Sequence, residues 1–154
     1  MKNATLLVAA FALLSVTGCQ SIGDEVQPRN YDALALETGH WEWDASTLGW
    51  AGRRTPTSMG FTRQLVFSAD GKVLIQHDGK LNKRTSYQLS MGDLQKCSIK
   101  QVPIITFETD SDVPNNDRKT YSITKSIEGQ QLTLVGEEAC VDGGTYETYH
   151  WVAE

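Results

Sequence analysis

The sequence predicts an all-β domain, an eight-stranded antiparallel up-and-down barrel, and three observations support this fold class. From Gly39 onward, short runs rich in Val, Ile, Thr, Tyr, Phe and Trp alternate with turn signals, a pattern typical of strands. No stretch after residue 40 keeps a 3.6-residue apolar period, so long helices are not expected there. A meander of hairpins closes most simply into a barrel, which also removes its edge strands. The predicted strands are 40–44, 61–68, 72–77, 80–90, 96–109, 119–127, 130–138 and 145–152.

Acidic-glycine pairs separate several of these runs. They are Asp70-Gly71, Asp78-Gly79, Glu128-Gly129 and the triplet Asp142-Gly143-Gly144. Asp-Gly between β-prone segments indicates a hairpin because glycine adopts a positive φ without steric cost. Pro103 interrupts the fifth run and lacks an amide donor, so we expect it at an edge, a bulge or a break.

Alternation within the runs is partial, but it predicts the residues that face the core, since side chains two apart lie on one face of a strand. The predicted core positions are Leu65, Phe67, Tyr121, Ile123, Ile127, Leu132, Leu134, Tyr149 and Trp151. Two longer connections, 45–60 and 110–118, fall outside this rhythm.

The N-terminus has the pattern of a secretory signal: Lys2, then an apolar run from Ala4 to Leu14. The run is shorter than the roughly 20 residues that a spanning helix needs. The residues that follow, Val16-Thr17-Gly18-Cys19, resemble the lipobox of bacterial lipoproteins, which implies cleavage before Cys19 and lipid attachment to its thiol. The alternative is an ordinary secretory signal that is cut elsewhere. We therefore expect a signal peptide over 1–18, a lipidated flexible tether over 19–38 and a barrel domain over 39–154.

Charge and cysteine content agree with export. Lys2 is the one charged residue before Cys19, so the mature chain would carry 13 basic and 19 acidic residues. This acidic balance argues against nucleic acid as a partner. Cys97 and Cys140 remain as an even pair, which favours a disulfide in an oxidising compartment. Gln20 follows the predicted lipidated cysteine, so the Asp that retains lipoproteins in the inner membrane is absent there. This favours the outer membrane as the site of the anchor.

The succession of motifs after the tether resembles the small lipocalin-like lipoproteins of bacteria over roughly 39–152. The motifs are Gly39-His40-Trp41-Glu42-Trp43, Gly49-x-x-Gly52, Gly60-Phe61, the run from Leu65 to Gly71, Tyr121-Ser122-Ile123, Leu132-Thr133-Leu134, Gly144-Thr145-Tyr146 and Tyr149-His150-Trp151. The resemblance implies an eight-stranded barrel with a central cavity. Lipocalins usually cover the first-strand Trp with an Arg of the last strand. Here the last strand offers no Arg, so a ring-on-ring or ring-on-His contact would replace it.

Aromatic residues are the main candidates for a binding site. We expect Trp41 to plug the barrel base as a structural residue, and Trp43 and Trp50 to form an aromatic wall near the mouth, although core packing and a loop position are the respective alternatives. Arg54 could clamp an anionic group at the mouth or simply be a solvated loop charge. Phe67 and Tyr149 complete the predicted ligand-binding set.

Motifs for catalysis or metal binding do not emerge. The sequence lacks G-x-S-x-G, a P-loop and G-x-G-x-x-G. The acidic segment 110–121 resembles an EF-hand loop but has Asn115 where Gly is needed and Tyr121 where Glu is needed. The three histidines have no metal-binding spacing. We therefore expect neither an enzyme nor a cofactor, and two functions stay open: binding of a small apolar ligand, or a filled barrel that engages an envelope protein or inhibits an enzyme.

Overall fold

An antiparallel sheet makes up most of the residues that the structure describes, and its first and last strands pair to close a barrel. The computed structural model describes residues 32–35, 38–109, 117–141 and 143–154. The signal peptide, Cys19 and most of the acidic loop 110–118 lie outside these residues. The described strands are β1 Gly39–Leu48, β2 Arg53–Arg54, β3 Arg63–Ser68, β4 Lys72–His77, β5 Lys80–Leu94, β6 Ile99–Phe107, β7 Asp117–Ser126, β8 Gly129–Gly136 and β9 Thr145–Ala153.

The prediction of an eight-stranded up-and-down barrel is confirmed. Each long strand pairs with the next one along the chain. Strands β1 and β9 also pair with each other, from Gly39 opposite Ala153 to Leu48 opposite Thr145. The additional strand, β2, is a two-residue hairpin partner of β1 that lies outside the closed barrel. Within the described part of the chain, helix is limited to α1 Asp32–Ala35, α2 Pro56–Met59 and three single 3₁₀ turns. Among the described residues, no helix has the length and apolarity to cross a bilayer.

Strand β1 runs beyond its predicted end because it contains a bulge. The pairing with β9 shifts between Trp43 and Ala45, and the strand continues to Leu48. The extra residue of a bulge changes which side chains face inward, so Ala45 and Ser46 are both buried. Trp43 can then donate its indole N–H to Ser46 Oγ at 2.9 Å.

Two other positions test the strand predictions. Pro103 pairs with Met91 of β5 but precedes Ile104, where pairing of β6 with β7 begins, so its missing amide lies at an edge as expected. The prediction that Ile127 belongs to the core is wrong. Ile127 lies in the turn between β7 and β8, just beyond the Ser126–Gly129 pair, and its side chain is fully exposed.

One end of the barrel, where β1 begins, is closed by aromatic rings and by α1. Trp41 is 2% exposed, donates its indole N–H to the carbonyl of Leu34 at 3.1 Å, and meets Trp151 edge-on with ring centres 5.1 Å apart. This is the ring-on-ring contact expected in place of an arginine. Leu34 is itself buried, so the packed unit begins before residue 39, inside the segment predicted as tether.

The buried core is one cluster of large apolar side chains that extends from this plug up into the barrel. Its buried members are Leu34, Trp41, Trp43, Leu65, Phe67, Val73, Tyr87, Ile105, Phe107, Tyr121, Leu132, Leu134 and Tyr149. Outside the barrel, the predicted disulfide between Cys97 and Cys140 joins the β5–β6 connection to the β8–β9 connection, with Cα atoms 5.2 Å apart.

Candidate functional site at the open end of the barrel

A cavity of about 290 Å³ opens at the end of the barrel opposite the α1 plug. Its walls come from seven strands at the level where β3, β5, β7 and β9 begin and where β4, β6 and β8 end. The lining residues are Arg63, Leu65, Ile75, His77, Asn82, Lys83, Thr85, Phe107, Glu108, Thr109, Asp117, Lys119, Leu134, Glu147 and Tyr149. Barrels of about eight strands are wide enough to hold one small ligand.

The cavity has an apolar surface formed by strand residues that continue the core. Leu65, Ile75, Phe107 and Leu134 supply it. Leu65 and Leu134 are almost fully buried, and Ile75 is packed against the core cluster. An apolar group bound here would leave water, which stabilises binding by roughly 25 cal/mol per Å² of surface removed.

A cluster of buried charges also lines the cavity. The carboxylate of Glu147, on β9, lies 3.4 Å from Lys119 Nζ of β7 and 3.5 Å from Arg63 Nη2 of β3. It also accepts a hydrogen bond of 3.0 Å from the hydroxyl of Tyr149. The side chains of Glu147 and Lys119 are 9% and 11% exposed, so the barrel interior holds paired charges and is not purely apolar.

The cluster keeps Glu147 ionised. Burial by itself would raise the pKa of this carboxyl, but Lys119 and Arg63 oppose that effect together with the hydroxyl of Tyr149, and the pKa lies below its ordinary value. The opposite holds for Tyr149, whose pKa is raised well above its ordinary value because the phenol is buried and faces the Glu147 carboxylate. Near neutral pH, Glu147 is therefore an acceptor and Tyr149 a donor.

Arg63 is held by aromatic rings as well as by charge. Its guanidinium carbon lies 4.7 Å from the centre of the Trp43 ring and 5.4 Å from that of Tyr149, distances at which a cation is attracted to an aromatic face. Its Nη2 also donates to Ser46 Oγ at 3.4 Å. Its Nε is buried and has no hydrogen-bond partner among the residues that the structure describes.

Charged and aromatic groups also line the rim of the cavity. Asp117 is half-exposed and lies 3.2 Å from Lys119, so the ammonium is shared between a buried and a solvated carboxylate. His77 stacks on Phe61 with ring centres 4.4 Å apart. Lys119 Nζ lies 5.8 Å from the ring centre of Phe107. Polar contacts are therefore available along the entrance as well as inside.

The structure brings only some of the predicted binding residues together. Tyr149 lines the cavity, and Trp43 lies directly behind Arg63. Phe67 lies deeper, in an edge-on contact of 4.9 Å with Tyr87. Trp50 is 91% exposed on a loop, and Arg54 is exposed in β2; neither lines the cavity. Trp41 occupies the structural position expected of it at the barrel base.

Reasoning from the sequence missed the three charged residues Arg63, Lys119 and Glu147. The signal was present, since each lies two residues from a core residue of the same strand: Leu65, Tyr121 and Tyr149. Side chains two apart share a face, so the alternation predicts that all three face the barrel interior. We did not assign them there because charged residues usually occupy solvated positions.

The chain matches no protein-family model, no curated protein and no solved structure. Among the described residues, no group of three or more His, Cys, Asp or Glu side chains is placed to hold a metal ion. His40 and His150, which could have faced each other across the closing strands, instead contact Gln64 at 3.2 Å and Asp44 at 2.6 Å, respectively.

Proposed function

We propose that this chain is a lipid-anchored lipoprotein of the bacterial cell envelope whose lipocalin-like barrel binds one small ligand at its open end. The observation that carries the binding proposal is the cavity of about 290 Å³, closed below by packed aromatic rings and open above. Its volume is near the lower end of the range for small-molecule sites, which begins at about 300 Å³. A ligand of modest size fits this volume better than a long-chain lipid.

The lining supports a ligand with both an apolar and a polar part. Leu65, Ile75, Phe107 and Leu134 would contact the apolar part. Lys119 and Arg63 line the cavity and could donate to an oxygen of the ligand. A wholly apolar ligand would cover these charges without replacing their contacts with water, which is unfavourable. The expected apolar ligand is therefore refined to an amphipathic one.

The anchoring half of the proposal rests on the sequence before the barrel. An apolar segment of signal length precedes Val16-Thr17-Gly18-Cys19, and the disulfide of the domain fits an oxidising compartment. More than one acyl chain would be needed for stable attachment, because a single chain binds membranes only marginally. Lipid on Cys19 in the outer membrane is the arrangement we propose.

A second candidate function is an interaction module that engages an envelope protein through its loops. It is favoured by the filled lower half of the barrel and by the exposure of Trp50, a residue type that is common in protein interfaces. The two candidates differ in what the cavity does. A ligand carried from the cell would support the first, and an empty cavity with a captured protein would support the second.

Native mass spectrometry of the full chain, extracted from bacterial membranes, tests both halves. We expect an added mass that is lost on denaturation, and a separate acyl mass retained on the peptide that begins at Cys19. Ile75→Trp fills the cavity and should abolish the first mass while leaving the second. The matched control is Ile127→Trp, in a fully exposed turn, which should retain both. A bare protein from every preparation would contradict ligand binding, and an unmodified Cys19 would contradict anchoring.

A further inference from the structure

The loop between β1 and β3 projects a tryptophan into solvent. Trp50 is 91% exposed at the centre of the 3₁₀ turn Gly49–Ala51, whereas Trp41 and Trp43 are 2% and 4% exposed. Neither the core nor the cavity uses this ring. Tryptophan has an apolar ring with a polar N–H, and this residue type is enriched at protein and membrane interfaces.

The segment that contains Trp50 is cationic in a chain that is acidic overall. Residues 45–62 include Arg53 and Arg54 and contain no Asp or Glu, although the whole chain has 19 acidic and 14 basic residues. Both arginines are exposed, and neither has a resolved carboxylate partner among the contacts of the described residues. An indole beside free guanidinium groups is complementary to an anionic surface with an apolar layer beneath it.

The loop is braced, so Trp50 is presented at a fixed place. Arg53 and Arg54 pair with Thr47 and Ser46 of β1, and the Leu48 amide donates to the Gly52 carbonyl at 3.2 Å. The next helix, α2, starts at a capping box in which Thr55 and Ser58 exchange hydrogen bonds. A braced loop loses less conformational entropy when it binds than a flexible one.

We propose that this loop, residues 49–54, docks on an anionic lipid bilayer. Trp50 enters the headgroup layer, where amphipathic rings are stabilised, and Arg53 and Arg54 contact lipid phosphates. The inference rests on the proposed anchoring, which keeps a membrane within reach of the domain. The 13 residues from Cys19 to Tyr31 allow a reach of up to about 43 Å at roughly 3.3 Å per residue. The ten-residue β1, which separates the plugged end from this loop, rises only about 33 Å at a similar rate.

The acidic balance of the remaining domain limits the contact to the loop tip. Flat adsorption of the whole barrel on anionic lipid would be opposed by its excess of carboxylates. We therefore expect an association that needs anionic lipid, weakens at high salt and is confined to residues 49–54, because the other loops at the open end carry exposed carboxylates of Asp78, Glu108, Asp117 and Glu138.

Bromolipid quenching of tryptophan fluorescence tests the inference on the full chain. The protein is mixed with phosphatidylcholine vesicles that contain brominated acyl chains, with or without about one-third phosphatidylglycerol. The Trp50 signal is the difference between the native chain and Trp50→Phe. We expect it to be quenched and blue-shifted with the anionic vesicles only. Arg53→Gln with Arg54→Gln should lower the ratio of docked to undocked loop about thirtyfold, since each basic residue near an anionic surface contributes roughly a factor of five.

The control places a tryptophan at the other end of the barrel, as Ile127→Trp in the Trp50→Phe background. The fluorescence of the introduced ring, taken as the difference from Trp50→Phe alone, should stay unquenched. The inference is overturned if Trp50 remains unquenched with anionic vesicles, whether or not the chain sediments with them, or if only the ring introduced at position 127 is quenched. Capture of a protein by a Trp50 that stays out of the bilayer would also overturn it. Sedimentation with neutral vesicles reports the anchor separately, so failure of the loop and failure of the anchor are distinguishable.

Discussion

The carboxylate of Glu147 and the ammonium of Lys119 lie 3.4 Å apart inside the barrel, on strands that are not neighbours in the sheet. The contact therefore crosses the interior between β7 and β9. Arg63 approaches the same carboxylate from β3, so three strands meet through charge at the open end. Below this level the interior is filled by aromatic and aliphatic side chains. The ion cluster thus marks the boundary between the packed core and the cavity.

Removing the central carboxylate should destabilise the fold. In Glu147→Gln, Lys119 and Arg63 keep their charges in a largely buried site without their shared partner, which typically costs about 3–5 kcal/mol. Urea unfolding at pH 7 measures the change. The matched control is Glu137→Gln, whose carboxylate pairs with Arg118 at 3.4 Å near the surface and should cost no more than about 1 kcal/mol. Equal losses in the two variants would contradict the buried cluster.

The stabilisation by Glu147 should depend on pH with a definite sign. Its pKa in the folded state is lowered from the ordinary value of 4.5 because Lys119 and Arg63 outweigh the effect of burial. The contribution is therefore complete above the unfolded-state pKa and is lost as pH falls through the lower folded-state pKa. Unfolding free energies measured from pH 7 to pH 3 should converge for native chain and Glu147→Gln. A difference that widened on acidification would contradict the assignment.

Two tryptophans should differ sharply in their effect on stability. Trp41→Ala removes a ring that is buried, hydrogen-bonded to Leu34 and packed edge-on against Trp151, and should cost about 3–5 kcal/mol. Trp50→Ala removes a ring that is 91% exposed and should change the free energy of unfolding by no more than about 0.5 kcal/mol. Urea midpoints of the two variants check this, and a destabilising Trp50→Ala would show that the ring packs against the domain.

Gly39 should be intolerant of a side chain. A Cβ at this position would lie 2.3 Å from the Val152 carbonyl oxygen and 2.7 Å from Cζ2 of Trp151. Gly39→Ala should therefore displace the closing strand and destabilise the barrel by about 1–3 kcal/mol, as overpacking does. Gly129→Ala is the control, because it also has positive φ but meets no atom within 4 Å. The thermal midpoint of Gly39→Ala should fall further than that of the control.

The disulfide should stabilise the domain by restricting the unfolded chain. Cys97 and Cys140 are separated by 43 positions, and closing a loop of this size contributes about 3–4 kcal/mol in the chain-entropy treatment. Replacing both with Ser should lower the urea midpoint without changing the β-sheet signal in circular dichroism, because neither cysteine lies in a barrel strand. Reduction of the native chain should give the same midpoint, and no difference on reduction would mean that the bond is absent.

The local architecture of this protein was predictable from its sequence. β-branched and aromatic runs separated by Asp-Gly pairs predicted eight strands, and β4 has the same bounds, Lys72–His77, in prediction and structure. The conformation of a turn depends on a few adjacent residues, so it can be predicted without knowledge of the fold. The disulfide was predictable for a similarly simple reason, since assigning Cys19 to lipid left one possible pair.

Which inward positions are packed and which surround a cavity could be read only from the folded barrel. Tyr121 and Lys119 have the same parity on β7, yet the first lies in the filled core and the second in the cavity wall. The difference depends on the height of each residue along the barrel axis relative to residues of strands distant in sequence. That height is set by the registers of the strands and by the plug at the base. Ile127 shows the converse: its parity predicted burial, but the hairpin turned before reaching it. Alternation along one strand predicts whether a side chain faces inward, whereas the packing of the barrel interior depends on all eight strands.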